Sequence, residues 1–267
     1  MFASEPLTTA PTPSPVVVIT GASKGLGLAI TTILLKEFNA TVVAISRTRT
    51  PEIIELLNAH TGSLKVVECS VTDEPAFTKA ITDAANDCHG IDSLILNAGT
   101  LEPLGRIDSQ ANTLDAWKAN FDVNFFSLIT ALKAALPALR QSLSGGKVVF
   151  VSSGAATGNT YGWGPYNASK AALNSLTLAQ EEPDIVTVAV RPGKMDTAMQ
   201  FALRERGGPH MKEEDYQMFV REYDEGKLVH PEDTGYIIAG LALGAPEDLT
   251  GKFVSWNSEE CGEFQRE

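Results

Sequence analysis

From residue 16 onward, short apolar runs alternate with stretches patterned for helices. Residues 16–19, 41–45, 64–68, 92–96, 147–151, 185–190 and 252–256 read as strands, rich in Val and Ile and nearly continuous in their apolarity. Strands of that kind are covered on both faces, as in parallel sheets. Between them lie helical patterns at 26–38, 51–60, 73–88, 113–143 and 165–179. Pro51 suits a first helical turn, and Thr72 or Asp73 suits an N-cap. Pro137 reads as a kink or an end of the long fourth helix. Strict alternation predicts an α/β protein: one doubly wound, seven-stranded parallel sheet with helices on both faces. Ligands in such sheets bind beyond the carboxyl ends of the strands, where the strand order reverses.

Residues 1–15 break the pattern. They are rich in Thr, Pro and Ser and carry no Lys or Arg, so they read as a disordered tail and as neither a secretory nor a mitochondrial leader. The folded domain is expected over 16–267. With 43% apolar and 20% charged residues, the composition is that of a soluble globular chain. A net charge of −12 argues against nucleic acid and anionic membranes as partners. No uninterrupted apolar run reaches the roughly 18 residues of a membrane span. Cys69, Cys88 and Cys261 are scattered, and His60, His89, His210 and His230 show no ligand spacing. Reduced thiols, a cytoplasmic location and no metal are the expectation.

The first candidate chemistry lies between the first strand and first helix, in Thr20-Gly21-Ala22-Ser23-Lys24-Gly25-Leu26-Gly27. Glycines allow a tight turn and close approach of a pyrophosphate to the helix N-terminus. The spacing is Gly-x-x-x-Gly-x-Gly, which is neither Gly-x-Gly-x-x-Gly nor a P-loop. After the second strand stands Ser46-Arg47-Thr48-Arg49, without an acid to hold a ribose 2′-hydroxyl. Arg47, with Lys24 from the turn, instead suits a 2′-phosphate, which points to NADP(H) over NAD(H).

The second candidate is the stretch from Val151-Ser152-Ser153-Gly154 to Tyr166-Asn167-Ala168-Ser169-Lys170. Tyr166 and Lys170 are four apart, hence on one helix face about one turn from each other. A phenol beside an ammonium, with a hydroxyl from the preceding strand end, is a candidate acid catalyst.

These motifs together resemble the short-chain dehydrogenase/reductases, a single-domain Rossmann family. The likeness runs through Thr20 to Gly27, Asn97-Ala98-Gly99, Asn124, Ser153, Tyr166-x-x-x-Lys170, and Arg191-Pro192-Gly193 with Thr197. It implies catalytic roles for Asn124, Ser153, Tyr166 and Lys170. Ser153, thirteen residues before Tyr166, fits the catalytic serine better than Ser152, which reads as a strand-end structural residue. Tyr166 would donate the proton, Ser153 would hold the carbonyl oxygen, and Lys170 would lower the phenol pKa and bond the nicotinamide ribose. Asn124 would hold a water linking Lys170 to solvent. Gly21, Ser23, Lys24, Gly25, Leu26, Gly27, Arg47, Ser70, Val71, Asn97, Ala98, Gly99, Tyr166, Lys170, Pro192, Gly193, Met195 and Thr197 are the cofactor-binding set so implied. Ser70 stands where the family usually has an Asp against adenine, and Leu96 where an Asn is common. The shortened interval from Tyr166 to Gly193 implies an early end to the tyrosine helix.

Within the family, Gly162-Trp163-Gly164, Glu181-Glu182-Pro183 and the run Asp196-Thr197-Ala198-Met199-Gln200 resemble sepiapterin reductases and fungal benzil reductases. The former carry an Asp in the last strand that anchors the pterin; here Ser255 occupies that place. An NADPH-dependent reductase of a ketone or an aromatic or vicinal diketone is therefore expected, with a pterin reductase or a non-catalytic NADP-sensing regulator as alternatives. Substrate contacts are expected from Ser153, Trp163, Tyr166 and Met199, with Met195, Phe201 and Trp256 as further apolar wall. Residues 194–228 read as a substrate loop able to close as a lid. The resemblance also implies a homodimer or homotetramer, joined through the Thr113 and Tyr166 helices.

Overall fold

The computed structural model describes residues 13–176 and 181–266. Residues 1–12 of the expected tail, and the end of the helix pattern at 177–179, lie outside them. Seven strands form one parallel sheet: β1 (Val16–Thr20), β2 (Thr41–Ser46), β3 (Leu64–Glu68), β4 (Ser93–Leu96), β5 (Gly146–Val151), β6 (Ile185–Arg191) and β7 (Lys252–Ser255). Their order is β3-β2-β1-β4-β5-β6-β7, so the order reverses between β1 and β4.

Alternate side chains of each strand enter opposite layers. Val17, Ile19, Val42, Ala44, Val149 and Val188 pack on α1 (Gly25–Lys36) and α10 (Pro231–Gly244). Val18, Val43, Ile45, Leu94, Val148 and Phe150 pack on the other face. There they meet α3 (Glu74–Asp87), α5 (Ser127–Leu139) and α7 (Gly164–Ser175). The central strands β1, β4 and β5 are buried along their whole length, which is why they read as unbroken apolar runs. Edge strand β3 exposes Lys65 and Glu68. A short α2 (Pro51–Ala59) follows β2, capped by Thr50, whose hydroxyl accepts from the Ile53 N–H. Asp73, not Thr72, caps α3.

Two expectations are corrected. The long helix is interrupted at Asp122–Phe126, a π turn between α4 (Leu114–Phe121) and α5, and it ends at Leu139, two residues after Pro137. Residues 114–139 together have the length and mean apolarity of a membrane span, although charged residues and the π turn interrupt them. The apolar side of α5 is spent inside the protein, where Leu128, Ala131, Leu132 and Ala135 are buried. The charged segment read as a loop folds into α8 (Ala198–Arg206) and α9 (Glu213–Asp224). Its two ends are pinned together, for Val229 N–H donates to Lys194 O at 2.9 Å and Asp196 N–H to Val229 O at 3.3 Å. Helix α10, a single turn α6 (Ala155–Gly158), and α8 and α9 were not anticipated as helices. The described tyrosine helix α7 ends at Ser175.

Candidate active site

The carboxyl ends of β1 and β4 are stitched together at the reversal of strand order. Thr20 Oγ1 accepts the N–H groups of Asn97 and Ala98, both at 3.1 Å. Asn97 Nδ2 donates back to Thr20 O at 3.0 Å and Gly21 O at 3.2 Å. The turn before α1 then needs its glycines for two reasons. Gly21 and Gly25 have φ of +68° and +53°, which side chains resist. Gly27 lies so close to the turn that a Cβ there would stand 2.2 Å from Gly21 O. Lys24, at the head of α1, makes no side-chain cap, and the first turn carries no acid. The first N–H groups of the helix therefore face the cleft with their positive end free for an anion.

That cleft measures about 860 Å³, within the range of a cofactor site. Its wall contains every expected cofactor residue except Gly193, from Gly21, Ser23, Lys24, Gly25, Leu26 and Gly27 to Pro192, Met195 and Thr197. Gly193 instead turns the chain at φ +85° under Trp256, where a Cβ would meet the indole Nε1 at 2.9 Å. Among the lining residues, Lys24, Arg47 and Lys170 are basic and Glu102 alone is acidic. The cleft thus runs against the charge of the whole chain. Arg47 is exposed at its rim, whereas Arg49 turns away and donates to Val66 O at 3.1 Å.

At the inner end of the cleft lie Tyr166 and Lys170, both buried. Lys170 Nζ donates to Val151 O at 2.7 Å and stands 5.8 Å from the Tyr166 ring centre. Burial brings the lysine pKa down to about 8. Burial also pushes the Tyr166 phenol up, opposed by a hydrogen bond with Ser153. Loss of water costs the phenolate more than that hydroxyl returns. Ser153 touches Tyr166 without reaching the cleft wall, and its Oγ accepts the Ala155 N–H at 3.1 Å. Ser152 is buried and bonded to Asn174 of α7.

Asn124 is fully buried in the π turn. Its Oδ1 accepts the Thr100 N–H at 2.8 Å, and its Nδ2 donates to Thr100 O, Asn120 Oδ1 and Ser169 Oγ at 2.8–3.1 Å. Its Oδ1 keeps a second lone pair and faces Gly99, where a Cβ would stand 3.3 Å from it. Met199 lines the cleft and is 39% exposed. Trp163 does not line it. Its ring stacks on Phe219 at 5.5 Å and meets Tyr166 edge-on at 5.8 Å, in an apolar cluster with Leu101, Leu203 and Met211. Its indole N–H is buried there without a partner. Phe201 is exposed, and Trp256 packs over Gly193. Sequence reasoning missed Thr100, Glu102 and Asn120 of the wall. Asn120 carried a usable sign, an amide on a helix one turn before Asn124.

A dinucleotide-binding turn at the switch point, with a buried Tyr and Lys one helical turn apart, defines a nicotinamide-dependent oxidoreductase. The family profile described as short chain dehydrogenase matches residues 15–207, and the chain belongs to that family. It is 42% identical to an oxidoreductase of Schizosaccharomyces pombe, over 93% of this chain and 99% of that one. It is 36% identical to the Saccharomyces cerevisiae benzil reductase that forms (S)-benzoin, over 94% of this chain and 98% of that one. The crystal structure of a short chain dehydrogenase/reductase from Saccharomyces cerevisiae superimposes with a TM-score of 0.89 at 32% identity, covering 95% of this chain and all of the other.

Proposed function

We propose that the protein is an NADPH-dependent carbonyl reductase acting on ketones and on aromatic or vicinal diketones of the benzil type. The observation that carries the reading is the basic rim of the cleft, Lys24 and Arg47, leading inward to Tyr166 and Lys170, with Ser153 behind the wall against the Tyr166 phenol. A phosphate on the ribose would lie between the two rim cations, which is the chemistry that separates NADPH from NADH. The cofactor, when bound, supplies the hydride. The residues do the rest. Ser153 donates to the carbonyl oxygen and stabilises the negative charge that gathers there. Tyr166, kept protonated by burial, gives its proton to that oxygen as the carbonyl carbon gains the hydride. Lys170, mostly charged at neutral pH, stabilises the phenolate left behind. A proton then returns to Tyr166 through Lys170. A water serving that return would be held at the π turn by Asn124, whose Oδ1 faces the same Gly99 position as Lys170 Nζ.

The benzil-type substrate is favoured by the likeness to the yeast benzil reductase and by Ser255. Where a pterin-anchoring acid would stand, its hydroxyl accepts from Arg191 and donates to Asn257 Oδ1. A homodimer or homotetramer is favoured by the face of α4 and the π turn. There Phe121, Phe125 and Phe126 cluster, with Leu114 71% and Phe126 53% exposed. The test is a panel of benzil, other diketones, simple ketones and sepiapterin with NADPH and with NADH, scored for rate and product chirality. Fast NADPH oxidation with diketones and slow turnover of sepiapterin is the expected result; no carbonyl turnover would leave a cofactor sensor.

A further inference from the structure

We propose that Asn120 is a positioning residue for the reaction, one that fixes the Asn124 amide and the cleft wall so that protons return to Tyr166 through Lys170. This rests on the carbonyl reductase reading above. Asn120 stands on α4, one turn before Asn124, and is 1% exposed. An amide at that depth must use both ends. Its Nδ2 donates to Glu102 O at 2.7 Å and to Thr100 O at 3.3 Å, the loop that walls the cleft after β4. Its Oδ1 accepts from Asn124 Nδ2 and from Ser169 Oγ, both at 3.0 Å. Ser169 lies between Tyr166 and Lys170 in α7, is fully buried, and shares its one hydroxyl proton between Asn120 Oδ1 and Tyr166 O, the latter at 3.1 Å. One side chain therefore joins α4, the π turn, the cleft wall and the turn of α7 that carries the acid and its lysine.

The orientation of these groups is compulsory. The Thr100 N–H requires an oxygen, so Asn124 presents Oδ1 to it. Asn124 Nδ2 then faces Asn120, which must answer with its own Oδ1. Asn120 Nδ2 is thereby left for the carbonyls of Thr100 and Glu102. Neither amide can flip without unpairing a buried group. Asn124 and Lys170 also converge over one point: a Cβ on Gly99 would lie 3.3 Å from Asn124 Oδ1 and 3.7 Å from Lys170 Nζ. Loosening Asn120 thus disturbs the lysine side of the site. The glycine turn and the Thr20–Asn97 stitch, which would hold the cofactor, are bonded independently of it.

The test uses Asn120→Leu in the full chain, with NADPH and whichever ketone the wild type reduces best. The expected result is a kcat about tenfold lower, the effect of one or two lost buried hydrogen bonds, with the NADPH dissociation constant unchanged within about twofold. The solvent deuterium isotope effect on kcat should rise, and the effect of deuterating the transferred hydrogen of NADPH should shrink, because proton return has become slow. If Asn120→Leu fails to fold, Ser169→Ala removes the shared hydroxyl with less disruption and should shift both isotope effects the same way. A lower melting temperature with unchanged kcat and isotope effects would overturn the proposal, leaving Asn120 a purely structural residue. So would a fall in kcat matched by lost NADPH affinity. Absence of carbonyl turnover in the wild type would instead remove the reading beneath it.

Discussion

Replacing Lys24 and Arg47 together by Ala should erase most of the preference for NADPH over NADH. Both side chains are exposed at the rim of the cleft, so water screens them. Two unit charges 4 Å apart in water attract by about 1 kcal/mol. A ribose phosphate carries a charge of roughly −1.5 to −2, so each cation contributes about 1.5–2 kcal/mol before salt is considered. At ~0.15 M salt the Debye length is about 8 Å, and a discount of about half is reasonable for exposed groups. The pair then contributes about 2 kcal/mol, or roughly a 30-fold change in the ratio of kcat/KM for NADPH to that for NADH. Each single variant should lose about a square root of that factor if the two act independently. Steady-state rates with both cofactors on one ketone give the ratio directly. Raising salt should compress the wild-type preference and leave the double variant unmoved. A ratio unchanged by the double substitution, or a preference insensitive to salt, would refute the assignment of these two residues.

Tyr166→Phe should abolish ketone reduction while NADPH still binds, read as quenching of protein fluorescence; retained turnover would remove the phenol from the mechanism. Lys170 has its pKa lowered to about 8 by burial, against an unfolded value near 10.4. Between those values the unfolded chain binds more protons, so stability should rise with pH from about 8 to about 10.4. Lys147, also lowered by burial, adds to the rise, and Lys170→Met should flatten part of it in thermal melts from pH 7 to 10. Tyr166, with its pKa raised, acts oppositely and stability should turn down above about pH 10. Gly27→Ala places a methyl against Gly21 O and should cost about 1–3 kcal/mol of stability and most NADPH binding, checked by denaturant melts and calorimetry. Trp163→Phe keeps an aromatic ring against Phe219 but removes the unpartnered indole N–H. It should leave stability equal or slightly higher, and a loss above about 2 kcal/mol in urea melts would mean that the N–H has a partner.

Much of the cofactor side of the site was legible because each residue there answers a local demand. A turn with positive φ and no room for a Cβ needs glycine, so Gly21, Gly25 and Gly27 declare themselves. The spacing of Tyr166 and Lys170 is a property of one helix. Helices α8 and α9 were illegible for the opposite reason. Their apolar residues, Leu203 and Phe219, are few, and are buried only by packing on Trp163 and Tyr166 from another part of the chain. The π turn was hidden because its cause is tertiary: Asn124 there is bonded to Thr100 and Ser169 from two other segments. Pro137 marked the end of the long helix to within two residues, but nothing local marked the π turn at Asp122–Phe126. Helix α10 did leave a sign, Pro231 with Glu232 and Asp233 in its first turn.

The sequence by itself determined the alternating fold, the switch point and the residues beside it, because strand periodicity, glycine turns and helix spacing are short-range consequences of covalent structure. Only the tertiary structure decided the states of those residues. It put Tyr166 and Lys170 in a place dry enough to move their pKa values in opposite directions. It withdrew Gly193 and Trp163 from the cleft and brought Asn120 into its wall. Burial and hydrogen-bond satisfaction depend on which distant segments meet, and no local pattern carries that information.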